Sequence, residues 1–292
     1  KIAKEYDLIH VHHPDPMACL ALFCSGFKGK VVLHWHSDIL KQKSLLKLYR
    51  PFEKWLIRRA DMIVGTTPVY VQQSPMLKEV QHKVDYIPIG VEELQPTPEG
   101  VERIRSQYPG KKIVYSLGRL VEYKGFVHLV DAASHLDEEY VVLIGGNGPL
   151  RETIERRIEE LELQDKVKLL GYVKEEESAD YFGACDVFCL SSIWKTEAFA
   201  IVQVEAMSCG KPIVATRIPE SGVSWVNRHE YSGVNVPIKS GIFLAEAIHY
   251  LTKSEWIYDG YAERARRLYE ECFTLDKMID RCVILYDKIL SE

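Results

Sequence analysis

Short apolar runs alternate with amphipathic stretches along almost the whole chain, and this rhythm confines the fold more than any other feature. A strand buried on both faces reads as a continuous apolar run, and a parallel neighbour is reached only through a crossover of a dozen or more residues. In the first part the runs are Leu8 to His12, Val31 to His36, Met62 to Thr66 and Val84 to Ile87. The rhythm breaks over Gly90 to Pro109, where Pro96, Pro98, Gly100 and several charges read as a linker and domain boundary. It restarts with Lys112 to Leu117, Tyr140 to Ile144, Val167 to Leu170, Val187 to Leu190 and Ile213 to Ala215. Five strands with four crossovers make a complete Rossmann-like domain, and the first part reads as the back half of one. From Gly241 onward the pattern is two or three helices with no strand.

A chain of 292 residues is long for one core and comfortable for two. Apolar content of 47% and charged content of 27% are those of a soluble globular protein. No apolar run approaches the roughly 18 residues of a membrane span, and no signal peptide pattern is present. The seven cysteines are scattered without a CxxC pair, and Cys185, Cys189 and Cys209 lie inside apolar runs, as expected for reduced thiols of a cytoplasmic protein. A net charge of −5 without a basic tail argues against nucleic acid as a partner. The chain opens on Lys1 and enters a strand signal by Asp7, as if a domain were already under way, so an N-terminal truncation is expected.

Glu197 and Glu205 bracket the segment EAFAIVQVE. If Ala198 to Cys209 is a helix, eight residues set these carboxylates roughly 12 Å apart. Carboxylates flanking one glycosidic bond sit roughly 5–9.5 Å apart, so a glycosidase pair is unfavoured. The spacing suits a helix whose N-terminus faces a phosphate, with an acid at each end of an elongated anionic ligand. Two ordinary acids on a half-buried helix would look the same on spacing alone.

Two glycine-bearing loops follow the first strands of the second domain. SLGRLVEYKGF places Gly118, Arg119, Lys124 and Gly125 after Leu117, where backbone N–H groups and two cations can balance a diphosphate. LIGGNGP places Gly145, Gly146 and Gly148 after Ile144, which brings backbone close to a ligand or makes an ordinary turn with Pro149 opening a helix. Both lie at C-terminal ends of strands, where open α/β sheets bind ligands.

The run from SLGRLVEYKGF through IGGNGPL and LLGYV to SSIWKTEAFAIVQVEAMSCGKPIVAT resembles the nucleotide-binding half of family 4 glycosyltransferases. These are retaining enzymes of the GT-B fold. The resemblance covers Lys112 to about Pro237 and, with the first domain, most of the chain. It implies an α/β, GT-B architecture of two Rossmann-like domains facing across a cleft, the N-terminal one truncated. The expected divisions are an acceptor-side domain over residues 1–95, a donor domain over 109–275, and a C-terminal helix over 276–292 that packs back on the first domain.

The same resemblance implies roles for particular residues. Arg119 and Lys124 would bind the donor diphosphate, Glu197 would sit beside the donor sugar, and Glu205 would take the ribose hydroxyls. The N–H groups of Phe199 and Ala200 would point at the phosphates, with Gly118 and Gly146 lining the donor loops. The family usually has Gly where Ala198 and Ala200 stand, so two methyl groups narrow the approach to the phosphate. The resemblance needs no metal and no cofactor besides the nucleoside diphosphate sugar.

The first part contributes HVHHPDP and VVLHWHSDI. In a strand His10 and His12 share one face, as do His34 and His36. Two such pairs could hold zinc with Asp15 or Asp38. The competing reading is hydrogen-bonded histidines near strand ends, preferred for His10 and His12. By the resemblance, His36 is the histidine supplied to the donor sugar. Lys41 to Ala60 carries Lys43, Lys47, Arg50, Lys54 and Arg58 on one side and Leu45, Leu48, Phe52, Trp55 and Leu56 on the other, with Pro51 expected to split it into two helices. Such a surface suits peripheral contact with anionic lipid at the inner face of a plasma membrane, or a lipid-diphosphate acceptor, or is simply a helix packed by its apolar side.

The reaction implied is transfer of a hexose from a nucleoside diphosphate sugar to a hydroxyl of a growing polysaccharide or lipid-linked glycan, with retention. HWHSDI followed by KQK resembles transferases of bacterial surface polysaccharide and lipopolysaccharide assembly, which points to GDP-mannose. The alternatives are a sugar-nucleotide epimerase, which needs no acceptor, and a truncated module that only binds sugar nucleotide.

Overall fold

The computed structural model describes residues 2–39 and 43–291, with the side chains of all but residues 2, 4 and 43–45. The chain forms two compact units, one of residues up to Gly90 together with those from Leu275 onward, the other Val91–Thr274.

In the first unit β1 (Leu8–His13), β2 (Lys30–Trp35), β3 (Met62–Gly65) and β4 (Val84–Tyr86) form one parallel sheet in chain order. The crossovers carry α1 (Pro16–Ser25), α2 (Lys43–Arg59) and α3 (Pro68–Gln73). Each begins or ends on a local signal. Asp15 caps α1 by accepting from the N–H groups of Met17 and Ala18 at 2.9 Å, with Pro16 at its first position. Thr67 caps α3, which opens on Pro68. Helix α2 runs unbroken through Pro51, contrary to the expected split. Its buried side explains why, since Leu56 is in the core and Phe23 of α1 meets Phe52 and Trp55 edge to face at 5.5 and 5.0 Å. Lys41 lies outside the described residues, as do the side chains of Lys43 and Leu45.

The second unit opens with α4 (Pro98–Arg105), inside the stretch expected to be a linker. Its glycine and prolines are helix-start signals here: Thr97 caps the N–H of Gly100 at 3.1 Å, and Pro98 takes the first turn. The chain then runs β5 (Lys112–Leu117), α5 (Phe126–Ala133), β6 (Tyr140–Gly145), α6 (Arg151–Glu160), β7 (Val167–Gly171), α7 (Glu175–Ala184) and β8 (Val187–Leu190). Then come α8 (Ile201–Ser208), β9 (Ile213–Arg217), α9 (Val223–Val226), β10 (Gly233–Pro237), α10 (Gly241–Thr252) and α11 (Glu255–Cys272). Helix α4 is fastened to α7 and to the residue just before β8. Asp180 accepts from the N–H and hydroxyl of Thr97 at 2.7 and 3.0 Å, and Arg105 grips Asp186 through two 3.0 Å bonds. Residues 91–109 therefore belong to the second unit.

The six strands of this unit are parallel in the order β10-β9-β8-β5-β6-β7. Read from β7 and numbered along the chain, the order is third, second, first, fourth, fifth, sixth, which is the doubly wound arrangement. The sixth strand, β10, was not legible as an apolar run, because GVNVP holds a glycine, an asparagine and a proline. An edge position tolerates all three, and Pro237 ends the strand. Every residue of β6 and β8 is buried. On one side Val114, Val142 and Ile144 pack with Leu129 of α5, Ile154 of α6 and Ile248 of α10. On the other, Tyr115, Phe182 and Phe188 meet ring to ring at 5.2 to 6.1 Å.

The last helix, α12 (Leu275–Ser291), belongs to the first unit. Its Leu285 and Ile289 join Val32, Val64 and Ile87 in one apolar cluster. This apolar stripe at helical spacing covers one face of the first sheet.

The loops after β5 and β6 are pressed together. Gly118 N–H donates to Gly145 O at 3.1 Å and Leu120 N–H to Asn147 O at 3.0 Å. Gly146 has φ of 124°, and a Cβ there would lie 1.9 Å from the carbonyl oxygen of Gly118. Both facts require glycine. Gly146→Ala is expected to cost roughly 2 kcal/mol or more in denaturant unfolding, because backbone strain and a backbone clash add. A variant as stable as the parent would show that the two loops separate freely.

Candidate active site

In a doubly wound sheet the ligand crevice opens where the strand order reverses, because neighbouring loops there leave in opposite directions. Here the reversal lies between β5 and β8. Gly118, Arg119 and Lys124 follow β5, and Glu197, Phe199 and Ala200 follow β8, so six of the residues singled out from sequence sit at this point. Gly146 opens the loop after β6 beside them, and Glu205 lies on α8.

The two loops meet through a buried ion pair. Lys124 Nζ is 2.6 Å from Glu197 Oε2, and the two side chains are only 11% and 10% exposed. The same carboxylate oxygen accepts from the Ser192 hydroxyl at 2.8 Å. Around this pair the backbone is tied down by hydroxyls. Ser191 Oγ donates to Lys124 O at 3.0 Å, Thr216 donates to Ser192 O, and Ser221 donates to Glu197 O. Ile193 N–H reaches Tyr123 O at 2.8 Å. Gly125 has φ of 64°, and a Cβ there would lie 2.3 Å from Ser191 O, so the loops touch backbone to backbone. These four serines and threonines escaped the sequence reading. Their only signal is the Ser-Ser pair directly after a buried strand.

The helix that follows is shorter than expected. It begins at Ile201 rather than Ala198, so Glu197 lies on a loop and the 12 Å spacing along a helix does not apply. Ala200 is the capping residue, at φ 63° and ψ 77°. A left-handed conformation costs an L-residue roughly 1–2 kcal/mol, which accounts for the glycine that the resembled family has where Ala200 stands. Among the described residues the N–H groups of Phe199 and Ala200 donate no hydrogen bond. They precede the helix rather than belong to its first turn, yet leave donors unspent at its positive end. Phe199 itself is buried, edge to face with Phe273 at 5.9 Å.

Arg119 is exposed, and no hydrogen bond or ion pair holds its guanidinium among the described residues. Glu205 is largely buried, and burial raises its pKa above the ordinary carboxylate value. No hydrogen bond reaches its carboxyl group among the described residues, so it is an acceptor with desolvation already incurred. The crevice thus offers a free cation, a paired cation, open N–H donors and an unspent acid. That set fits an elongated anionic ligand with hydroxyl groups at one end.

His36 belongs to the first unit, just past β2, where the register creates a group of imidazoles. His12 of β1 pairs with His34 of β2, and His10 and His36 lie two residues away along their strands, so all four share one face. The rings of His34 and His36 stack at 4.2 Å, and His12 Nδ1 lies 2.7 Å from His36 Nε2. His10 Nδ1 is 2.5 Å from the Tyr286 hydroxyl of α12, in keeping with the hydrogen-bonded reading. Burial, followed by repulsion from the neighbouring imidazoles, lowers the pKa of His10 and His36 to about 4 and that of His34 to about 2. Asp15 and Asp38 are occupied elsewhere. Asp15 caps α1, and Asp38 accepts from Trp35 Nε1 at 3.1 Å and Ser74 Oγ at 2.6 Å; among the described residues the donor atoms close enough together to share an ion are those of His12, His34 and His36, without either carboxylate considered from sequence.

Residues 101–271 match the family described as glycosyl transferases group 1, and residues 1–93 match glycosyltransferase family 4. The chain is 32% identical to the O-antigen chain mannosyltransferase C of Escherichia coli, over 100% of this chain and 78% of that protein. It is 30% identical to the D-rhamnosyltransferase WbpZ of Pseudomonas aeruginosa, over 94% of this chain and 71% of that one. Among solved structures, the Anabaena protein HepE in complex with UDP superposes with a TM-score of 0.85 at 22% identity, over 98% of this chain and 80% of that chain. Sucrose-phosphate synthase of Thermosynechococcus elongatus gives 0.80, also at 22%, over 98% and 74%. Both likenesses concern the fold.

Removing one member of a buried ion pair strands the other, whereas removing both does not. Lys124→Met alone is expected to lose roughly 3 kcal/mol in urea unfolding, and Lys124→Met with Glu197→Gln to regain most of it. Additive losses would mean that the pair is not coupled. The stack of neutral imidazoles makes a second prediction. Unfolded histidines take up protons near pH 6.5 while His10 and His36 resist until about 4, so stability is fully present above 6.5 and falls as pH drops from 6.5 to 4. Tm should decline through that window, less steeply in His36→Asn. Equal slopes would place the titration elsewhere.

Proposed function

The chain belongs to the glycosyl transferases of group 1, and from that premise we propose that it moves a hexose from a nucleoside diphosphate sugar onto a hydroxyl of a growing surface polysaccharide. The observation that carries this reading is the buried Lys124–Glu197 pair where β5 and β8 diverge. Lys124 and Arg119 balance the donor diphosphate and the charge that grows on it as the glycosidic bond breaks. Glu197, held by Ser192, keeps the ammonium of Lys124 aimed and stands beside the donor sugar. The amides of Phe199 and Ala200 donate to phosphate oxygens, and Glu205 accepts from the ribose hydroxyls.

The sugar is transferred with retention and without a metal. The acceptor hydroxyl attacks on the face the nucleotide leaves, and the departing phosphate takes its proton, so no separate carboxylate base is needed. A crevice with cations and no free pair of acids fits such a step. The donor is GDP-mannose, a choice supported by the identity to an O-antigen mannosyltransferase. The resemblance assigns His36 to the donor sugar.

The acceptor is carried by lipid, and the first unit meets an anionic membrane surface. Lys47, Lys54 and Arg58 of α2 are exposed, and Leu48, 75% exposed, stands among them rather than on the packed side expected from sequence. Leu48 lines an apolar groove with Met17, Leu20, Ile39 and Phe52. Cations around an exposed apolar groove complement anionic headgroups over acyl chains. No helix among the described residues is long and apolar enough to cross a membrane.

Calorimetric titration with GDP, UDP and ADP tests the donor assignment. GDP should bind without added divalent ion, and Glu205→Ala should weaken it. In a transfer assay Arg119→Ala and Lys124→Ala should each lose about 100-fold or more in kcat. Unchanged turnover in both variants would remove the crevice from the reaction.

A further inference from the structure

The proposed transfer uses His36 alone among the four histidines that the β1–β2 register gathers on one face of the first sheet. The rings stack at centroid distances between 4.2 and 5.4 Å. One ring nitrogen each from His12, His34 and His36 lie within 4.8 Å of one another. His34 is only 5% exposed, and neither of its ring nitrogens has a hydrogen-bond partner. Nε2 of His10 is likewise buried and unpartnered.

A neutral imidazole carries one N–H and one lone pair, and a buried one normally spends both. Protonation does not relieve this group, because each added proton repels the next across a few ångströms. A single cation shared by several lone pairs does relieve it. Histidine nitrogens in their neutral form are the preferred ligands of zinc and of the neighbouring divalent transition metals. Asp15 and Asp38 are held by other partners, which leaves an all-nitrogen set with a coordination position for water. Access exists too. His12 is exposed and, with His10, lines a cavity of about 380 Å3 that His34 and His36 do not line.

We propose that His12, His34 and His36 bind one divalent transition-metal ion, with zinc the best match. The donor atoms would draw in to about 3.3 Å of one another around bonds of about 2.0–2.1 Å, and the His12–His36 contact at 2.7 Å would give way to the ion. His10, fixed by Tyr286, closes the inner side of the group. The ion takes the ring that the resemblance reserves for the donor sugar. It therefore opposes transfer instead of serving it, a consequence that, unlike the binding itself, rests on the proposed function.

The test is titration of the chelator-stripped chain with Zn2+ by calorimetry and with Co2+ by absorption spectroscopy. All seven cysteines are free thiols and Cys24 is exposed, so the cobalt spectrum separates imidazole ligands from thiolate by the absence of a sulfur charge-transfer band. One ion per chain is expected, with a nitrogen and oxygen spectrum. His12→Asn, at an exposed position that leaves the core intact, and His36→Asn should each weaken binding roughly tenfold or more, since even the loss of an outer-shell partner costs that much. No binding at one equivalent, affinity unchanged in both variants, or a thiolate band that disappears in Cys24→Ser would each overturn the proposal.

Discussion

The second unit turns on one constraint: where the strand order reverses, the loops after β5 and β8 leave the sheet in opposite directions, and they must be joined without closing the crevice between them. The Lys124–Glu197 pair joins them. Two charges taken this far from water are held only because each satisfies the other at 2.6 Å and Ser192 fills a further lone pair. The pair needs its backbone fixed, and Ser191, Thr216 and Ser221 fix it by donating to carbonyls of the same loops. Gly125 is a consequence of that closeness, since a methyl group there would strike the carbonyl oxygen of Ser191. A site assembled this way is set before any ligand arrives, so little ordering remains for binding to accomplish.

The turn into α8 shows the same economy applied to the backbone. Alanine is the best helix former, so the run Ala198 to Ala200 reads as the start of a helix. The chain instead holds Ala200 left-handed and begins the helix at Ile201. Strain of this kind persists only where the surroundings dictate it, and here Ser221 and Gly222 grip the carbonyls of Glu197 and Ala198. The gain is a pair of amides, those of Phe199 and Ala200, that make no hydrogen bond among the described residues just ahead of the helix N-terminus.

How much of this was legible follows from what each element must bury. Strands covered on both faces declare themselves as apolar runs, and nine were readable; β10, at an edge with Asn235 and Pro237, did not. Helix α4 was hidden because its capping threonine and first-turn proline and glycine are also linker residues, and only contact with Asp180 and Asp186 decides between the readings. In the site, Arg119, Lys124, Glu197 and Glu205 stood out by type and spacing. Ser192 and Thr216 could not, because a hydroxyl that braces a loop looks the same in sequence as one that faces water. The histidines were a middle case. Period two put His10 with His12 and His34 with His36, but pairing one strand against the other in a given register is a long-range fact.

Each unit buries a carboxylate against a cation, Glu53 against Arg50 in the first and Glu197 against Lys124 in the second, but the first also gathers groups of like kind. In the second unit, opposite charges cancel at Lys124 and Glu197, a hydroxyl fills what remains, and Arg119 stays exposed beside them. In the first, like groups are brought together and the charge is removed altogether, leaving imidazoles that are neutral well below the pH at which a free histidine protonates. Tyr286 of α12 reaches His10 from the same helix that lays Leu285 and Ile289 over Val32 and Val64, so the stack is covered by a segment nearly the whole chain away in sequence. Protonating the stack works against the packing of that helix. Neutral, it still keeps Nε2 of His10 and both ring nitrogens of His34 buried without a hydrogen-bond partner, so a partner for those nitrogens would stabilise it.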